Sequence, residues 1–286
     1  MRYERPETIQ DATALLAAAQ DSAYVLAGGT DLLVRMQRDG FEAELVVDIK
    51  SIAGMTDITR TDDAFVIGAG VPCAALSENE ALVAAWPGVV EAANLIGSTQ
   101  IQGRCTMSGN LCNASPAADS VPALVAACAL ANIAGPNGTR SVPVEDVPQG
   151  PGKTSLAKGE FIESIVLPDP EGAYGDAYLR FTPRTEMDIA VVGVGICLTL
   201  DDAGVVRSAR LALGAVGPTV VVAQDAADEL VGTQLDADTL DNFATAVSAA
   251  SHPIDDKRGT VAFRKEVAGV LARRAARIAY TRAGGK

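Results

Sequence analysis

Apolar positions in the first third of the chain switch between helical and extended spacing. In residues 6–19, Ala12, Leu15, Leu16 and Ala19 recur at helical intervals behind Thr8 and Asp11, a pair resembling a capping box, and predict a first helix. Tyr24-Val25-Leu26 is a short apolar run stopped by Gly28-Gly29, and LLVRMQR from residue 32 predicts a second helix. The local order is therefore strand, glycine turn, helix. Two runs rich in β-branched residues, LVVDI at 45–49 and AFVIGA at 64–69, predict strands. Helices are predicted over 87–96 and 122–131, and the Pro and Gly residues of 135–152 read as turns and loops.

A second region begins near residue 174. The run from Asp188 to Pro218 reads as strand, Asp-Asp-Ala-Gly turn and strand, an antiparallel hairpin. Residues 223–231 and 237–250 read as helices. The terminal segment FRKEVAGVLARRAARIAY predicts a helix with Val267, Val270, Leu271 and Ile278 on one stripe and Arg273, Arg274 and Arg277 mostly off it. Pro168-Asp169-Pro170 breaks the pattern, so the boundary is drawn at 172 and divides the chain into 1–172 and 173–286.

Composition narrows the function. With 23 Lys+Arg against 36 Asp+Glu the 286-residue chain carries a net charge of −13, which argues against nucleic acid and anionic membrane as partners. Its 48% hydrophobic and 21% charged residues are those of a globular protein. A charged N-terminus and the lack of any 18-residue apolar run lead us to expect a soluble, cytoplasmic protein. Five cysteines, at 73, 105, 112, 128 and 197, form no C-x-x-C pair, and His252 is the one histidine. That set fits no zinc or iron–sulfur site and leaves no histidine-based hydrolytic triad outside the turn at His252. No catalytic side chain stands out, so a bound cofactor is expected to do any chemistry.

Two segments could hold one. Leu26-Ala27-Gly28-Gly29-Thr30-Asp31-Leu32 combines paired glycines, which bare the backbone amides, with a hydroxyl, and suits a pyrophosphate as well as it suits a plain turn capped by Asp31. Thr106 to Asp119 is rich in Gly, Ala, Ser, Asn and Pro without periodicity, as a backbone running along a polyhydroxylated chain must be. Its plain alternative is an irregular loop ending at the next helix. Gly150-Pro151-Gly152-Lys153-Thr154 lacks the first glycine of a P-loop, and Gly193-x-Gly195 lies inside a predicted strand, so neither is a phosphate site.

At these segments the chain resembles the FAD-binding (medium) subunit of molybdenum hydroxylases. The resemblance rests on Leu26 to Leu33, on Ile96-Gly97-Ser98-Thr99-Gln100-Ile101 and on Thr106 to Asp119, in that order, with weaker matches at 159–165 and 178–190. It implies an α+β protein: a two-lobed α/β FAD domain of the vanillyl-alcohol-oxidase type, with lobes at about 1–55 and 56–172, then a smaller α+β domain with an antiparallel sheet. It further implies non-covalent FAD, wrapped at the pyrophosphate by Leu26, Ala27, Gly28, Gly29, Thr30, Asp31 and Leu32. Thr106, Ser108, Gly109, Asn110 and Asn113 would line the phosphate and ribityl region, and Asp119 would lie near the ribityl or the ring. Ile96, Gly97 and Ile162 would lie against the cofactor, and Arg180 would approach the isoalloxazine edge.

Position 180 is Arg where the family generally carries Lys, and Ile96 is aliphatic where some relatives carry an aromatic. The family function is electron transfer within a complex. Molybdopterin would sit on a large partner and [2Fe–2S] clusters on a small one, as a dimer of heterotrimers delivering electrons to an acceptor such as NAD⁺ or O₂. A free-standing flavin oxidase and a non-redox nucleotide-binding module are the alternatives.

Overall fold

A computed structural model describes all residues except Asp21, Glu186 and Lys286. The first lobe is a three-stranded parallel sheet in the order β1-β3-β2 with two helices. β1 (Arg2–Glu4) leads to α1 (Ile9–Ala18), β2 (Ala23–Leu26), α2 (Leu32–Met36) and β3 (Leu45–Asp48). The Thr8 hydroxyl accepts from the Asp11 amide at 3.1 Å, and Ala12 and Leu16 bury against the sheet. β3 is central, so both its faces are covered and Leu45, Val46 and Val47 are all buried.

The second lobe carries an antiparallel sheet in the order β4-β5-β10-β6-β7. Its elements are β4 (Ile58–Arg60), β5 (Ala64–Gly68), α3 (Cys73–Glu78), α4 (Glu80–Ala85), α5 (Pro87–Asn94), α6 (Met107–Cys112) and α7 (Ser120–Ala126). β6 (Leu130–Gly135), β7 (Gly138–Pro143), β8 (Pro148–Gly150), β9 (Lys153–Thr154) and β10 (Phe161–Pro168) complete it. The expected helix over 122–131 thus ends at Ala126. Leu130 and Ala131 belong to a strand that pairs with both β7 and β10, and part of the stretch read as loops is itself β7.

The C-terminal part holds the antiparallel sheet β11-β12-β13-β14, with β11 (Ala173–Phe181), β12 (Val192–Leu200), β13 (Val206–Gly214) and β14 (Val221–Val222). Three helices, α8 (Gln224–Asp228), α9 (Ala237–Ala250) and α10 (Val261–Arg282), come after it. The predicted β12–β13 hairpin and α9 appear as expected. The stripe on α10 appears in part: Leu271 is buried and Val267 and Ile278 pack against the core, but Val270 is exposed, and most of the covered face is Ala268, Ala272, Ala275, Ala276 and Ala279. A helix lying this close to β11 and β12 accepts methyl groups more readily than branched chains.

β12 is sandwiched between α10 and α7. A Cβ at Gly195 would stand 2.3 Å from the Pro122 carbonyl oxygen, so Gly193-x-Gly195 serves close approach of α7 rather than phosphate. The chain is thereby built around two apolar cores, one spanning both N-terminal lobes and one beneath α9 and α10.

Candidate functional site

A cavity of about 330 Å³ opens between the two N-terminal lobes. One wall is the turn after β2. Gly29 has φ +79°, reserved in practice for glycine, and a Cβ at Gly28 would lie 2.1 Å from the Arg104 carbonyl oxygen. Glycine is needed at both positions for different reasons, one conformational and one steric. The contact with Arg104 brings the first glycine segment against the chain leading into the second.

That second segment forms the opposite wall. Thr106 caps α6, its hydroxyl accepting from the Gly109 amide at 3.0 Å, and the Ser108 hydroxyl donates to the Ala69 carbonyl. Asn110 accepts from both the amide (3.1 Å) and hydroxyl (2.8 Å) of Ser120, tying α6 to the start of α7. These side chains fix the backbone. Among the described residues, the amides of Gly28 through Leu32, and of Met107 and Ser108, have no hydrogen-bond partner. Unpaired amides converging on a concave surface need an acceptor, and phosphate oxygens provide several.

Of the residues expected at the site, Ala27, Gly28, Gly29, Thr30, Asp31, Leu32, Ile96, Thr106, Ser108, Gly109, Asn110, Asn113 and Ile162 line this cavity together. Leu26, Gly97, Asp119 and Arg180 do not line it. Leu26 ends β2 and Gly97 makes a turn with φ +70°. Asp119 and Arg180 bury each other instead. Arg180 Nη1 donates to Asp119 Oδ2 at 2.8 Å and to the Leu95 carbonyl at 3.0 Å, while the Tyr178 hydroxyl donates to Asp119 Oδ1 at 3.2 Å. Burial pushes the Asp119 carboxyl up, and Arg180 and Tyr178 pull it back. The pair braces the segment behind the cavity, next to Ile96.

Several lining residues carry no signal in the sequence. Tyr24 and Arg35 flank the turn, with the Arg35 guanidinium 5.9 Å from the Tyr24 ring centre. Thr154 reaches the wall from the very segment rejected as a P-loop. Glu160 also lines the cavity, but Arg140 grips it through Nε (2.9 Å) and Nη2 (2.8 Å) and holds its carboxyl below the usual range, so its charge is matched at the rim. Cys105 is buried and Cys112 partly so, and burial raises the Cys112 thiol to about 12. A thiol in that state is a neutral filler, not a nucleophile.

Similarity to known proteins shows the family and its cofactor. Residues 1–170 match the FAD binding domain in molybdopterin dehydrogenase, and residues 177–279 match the CO dehydrogenase flavoprotein C-terminal domain. The chain belongs to the FAD-binding, medium-subunit family of the molybdenum hydroxylases. Within that family it is 34% identical to the carbon monoxide dehydrogenase medium chain of Afipia carboxidovorans, over 98% of this chain and 97% of that one. It is 31% identical to the xanthine dehydrogenase FAD-binding subunit of Escherichia coli O157:H7, over 99% and 97%. Among solved structures, reconstituted CO dehydrogenase from Oligotropha carboxidovorans superposes with a TM-score of 0.92 at 34% identity, covering 98% of this chain and 97% of that one. This medium-subunit flavoprotein is thus an oxidoreductase subunit with FAD as its cofactor. The residues present fit that cofactor: bared amides face the cavity from two glycine-bearing segments, and the Glu160 carboxylate on its wall is paired with Arg140. No helix among the described residues is long and apolar enough to cross a membrane.

Proposed function

We propose that this chain is the electron-transfer subunit of a molybdopterin, iron–sulfur and flavin hydroxylase. In this reading Leu26 to Leu32 hold the pyrophosphate of non-covalent FAD through backbone amides. Thr106, Ser108, Gly109, Asn110 and Asn113 shape the phosphate and ribityl wall, and Ile96, Gly97 and Ile162 lie beside the cofactor. Asp119 and Arg180 support the ring end from behind. The observation that carries the reading is the row of partnerless amides at Gly28 to Leu32 on the cavity wall.

When bound, FAD supplies one- and two-electron redox chemistry, and the protein's part is to bind, orient and shield it. The cavity lining supports that division of labour. The hydroxyls of Thr106 and Ser108 are committed to the backbone, Glu160 is paired with Arg140, and burial holds the Cys112 thiol protonated. A large molybdopterin subunit would oxidise the organic substrate. A small subunit with [2Fe–2S] clusters would relay electrons here, in a cytoplasmic dimer of heterotrimers that delivers them to NAD⁺, O₂ or another acceptor.

Two measurements test this. The purified chain, after incubation with FAD and removal of the excess, should keep a flavin absorption spectrum close to one equivalent per chain. Co-expressed with its partners, its flavin should bleach on adding the organic substrate under anaerobic conditions, and alone it should not. Failure to retain FAD overturns the cofactor assignment, and bleaching by substrate without partners would favour a free-standing oxidase.

A further inference from the structure

Against the glycine turn, and outside the cavity lining, stands a network that no sequence motif marks. Lys50 lies just past β3 in a short 3₁₀ turn, and its Nζ donates to the Ala27 carbonyl at 2.8 Å and reaches the Leu26 carbonyl at 3.5 Å. The same Nζ lies 2.7 Å from Asp48 Oδ1. Asp48 accepts in addition from the Tyr3 hydroxyl at 2.6 Å and from the Lys50 amide at 3.1 Å. The Asp48 side chain is 8% exposed and that of Lys50 27%, so the ammonium is anchored at the base of the lobe instead of trailing into solvent.

The chain contains no cis peptide bonds among the described residues, and across a trans peptide the C=O of one residue and the N–H of the next point in opposite directions. A lysine that holds the Ala27 carbonyl therefore turns the Gly28 amide the other way, and its reach to the Leu26 carbonyl does the same for the Ala27 amide. The bare Cα of Gly28 sits against the Arg104 carbonyl. The turn is thus held at the Ala27 carbonyl by Lys50 and at the Gly28 Cα by Arg104.

Resting on the FAD reading above, we propose that Lys50 is a positioning residue for cofactor binding. By holding the carbonyls of Leu26 and Ala27 it aims the amides of Ala27 and Gly28, at the entry to the glycine turn, at the pyrophosphate. The alternative is simple attraction, a positive charge near an anion on a chain of net charge −13. The geometry favours direction over charge, because Asp48 lies 2.7 Å from Nζ and cancels most of its field at any distance beyond the pair.

The two explanations part at Asp48. Removing its charge frees the full positive charge of Lys50 but also loosens its anchorage. With full-length protein stripped of flavin and titrated with FAD, Lys50→Met should raise the dissociation constant at least tenfold. Lys50→Arg, which can still donate to a carbonyl, should recover most of that loss. Asp48→Asn should weaken FAD binding severalfold. Should Lys50→Met strand the Asp48 charge and fail to fold, the double variant Asp48→Asn/Lys50→Met leaves no unpaired charge and should show the same tenfold loss. Unchanged affinity in the lysine variant that folds, or tighter binding in Asp48→Asn, overturns the proposal. If the wild-type chain takes up no FAD, the functional reading fails instead, and the two failures are distinguishable in one titration series.

Discussion

At Gly28 an added methyl carbon would sit 2.1 Å from the Arg104 carbonyl oxygen, a backbone atom that cannot swing aside. At Gly29 the nearest atom to such a carbon is the end of the Leu26 side chain at 2.7 Å, which can rotate away, although φ is +79°. Alanine at 28 should therefore cost more than alanine at 29: about 2–3 kcal/mol from overpacking against about 1–2 from left-handed strain. Urea unfolding of the two variants checks the order, and Gly28→Ala should also lose flavin because it drives the two walls apart. Asp176 offers a second test at this scale. It is buried, accepts from the amides of Gly88 (3.0 Å) and Val89 (2.9 Å), and its carboxyl is raised to about 6, burial outweighing those bonds. With the folded value above the unfolded one of about 3.9, the native state holds a proton that the unfolded chain releases. The group's contribution to stability is then greatest at low pH and declines as pH rises through the window from about 4 to about 6, by roughly 2 kcal/mol or more. Unfolding free energies of wild type and Asp176→Asn, measured from pH 4 to 7, should show that slope in the difference between them. A flat difference would mean the carboxylate is ionised throughout.

Helix α10 shows how an element can be located by its sequence and yet have its face misread. Its span is legible from length and composition, but ranking positions by hydrophobic size admits the exposed Val270 and passes over the alanines that make up most of the packed face. The deciding fact is the approach distance of neighbouring elements, which is a property of the assembled fold. At Gly269 a Cβ would meet the Ala244 carbonyl oxygen at 2.8 Å and Ser248 Oγ at 2.9 Å, so α9 and α10 touch there. Gly269→Ala sets two effects against each other: a gain of about 0.8–1 kcal/mol in helix propensity and an overpacking cost of about 1–3 kcal/mol. The cost wins, and thermal unfolding should show a net loss on the order of 1 kcal/mol. Other elements divide along the same line between local pattern and assembled fold. β3, β5, α9 and the β12–β13 hairpin carry their own periodicity. β7, with the sequence GTRSVP, carries none and exists because β6 offers it an edge. At the site, the glycine turns were visible since their spacing is local. Lys50 with Ala27, and Glu160 with Arg140, are pairs set 23 and 20 residues apart, which only the fold brings together.

Across the whole molecule, the C-terminal sheet is placed so that it grips the flavin domain from behind the cavity. β11 supplies Tyr178 and Arg180 to Asp119, and Asp176 to the first amides of α5. The amide of Ala215 donates to the Pro116 carbonyl at 2.7 Å, and Arg282 of α10 pairs with Glu91 and donates to the Asp176 carbonyl. Thus the segment 114–122, next after the cavity wall, takes bonds from the C-terminal sheet and from the turn beyond β13. Without them Asp119 would be a carboxylate with no cation, and α7 would expose the face that Gly195 allows against the sheet. Residues 1–170 expressed alone should therefore retain a small fraction of the FAD held by the full chain and melt at a lower temperature. Flavin content per mole and a thermal scan decide it, with Arg180→Met in the full chain as the intermediate case. That variant keeps the sheet but leaves a buried, uncompensated Asp119, a loss on the order of 3–5 kcal/mol. If 1–170 held FAD as tightly as the full chain, the grip from behind would be an adornment of the fold. Flavin retention should instead fall in steps, from wild type to Arg180→Met to the truncated chain, because each step removes more of what holds the cofactor loop in place.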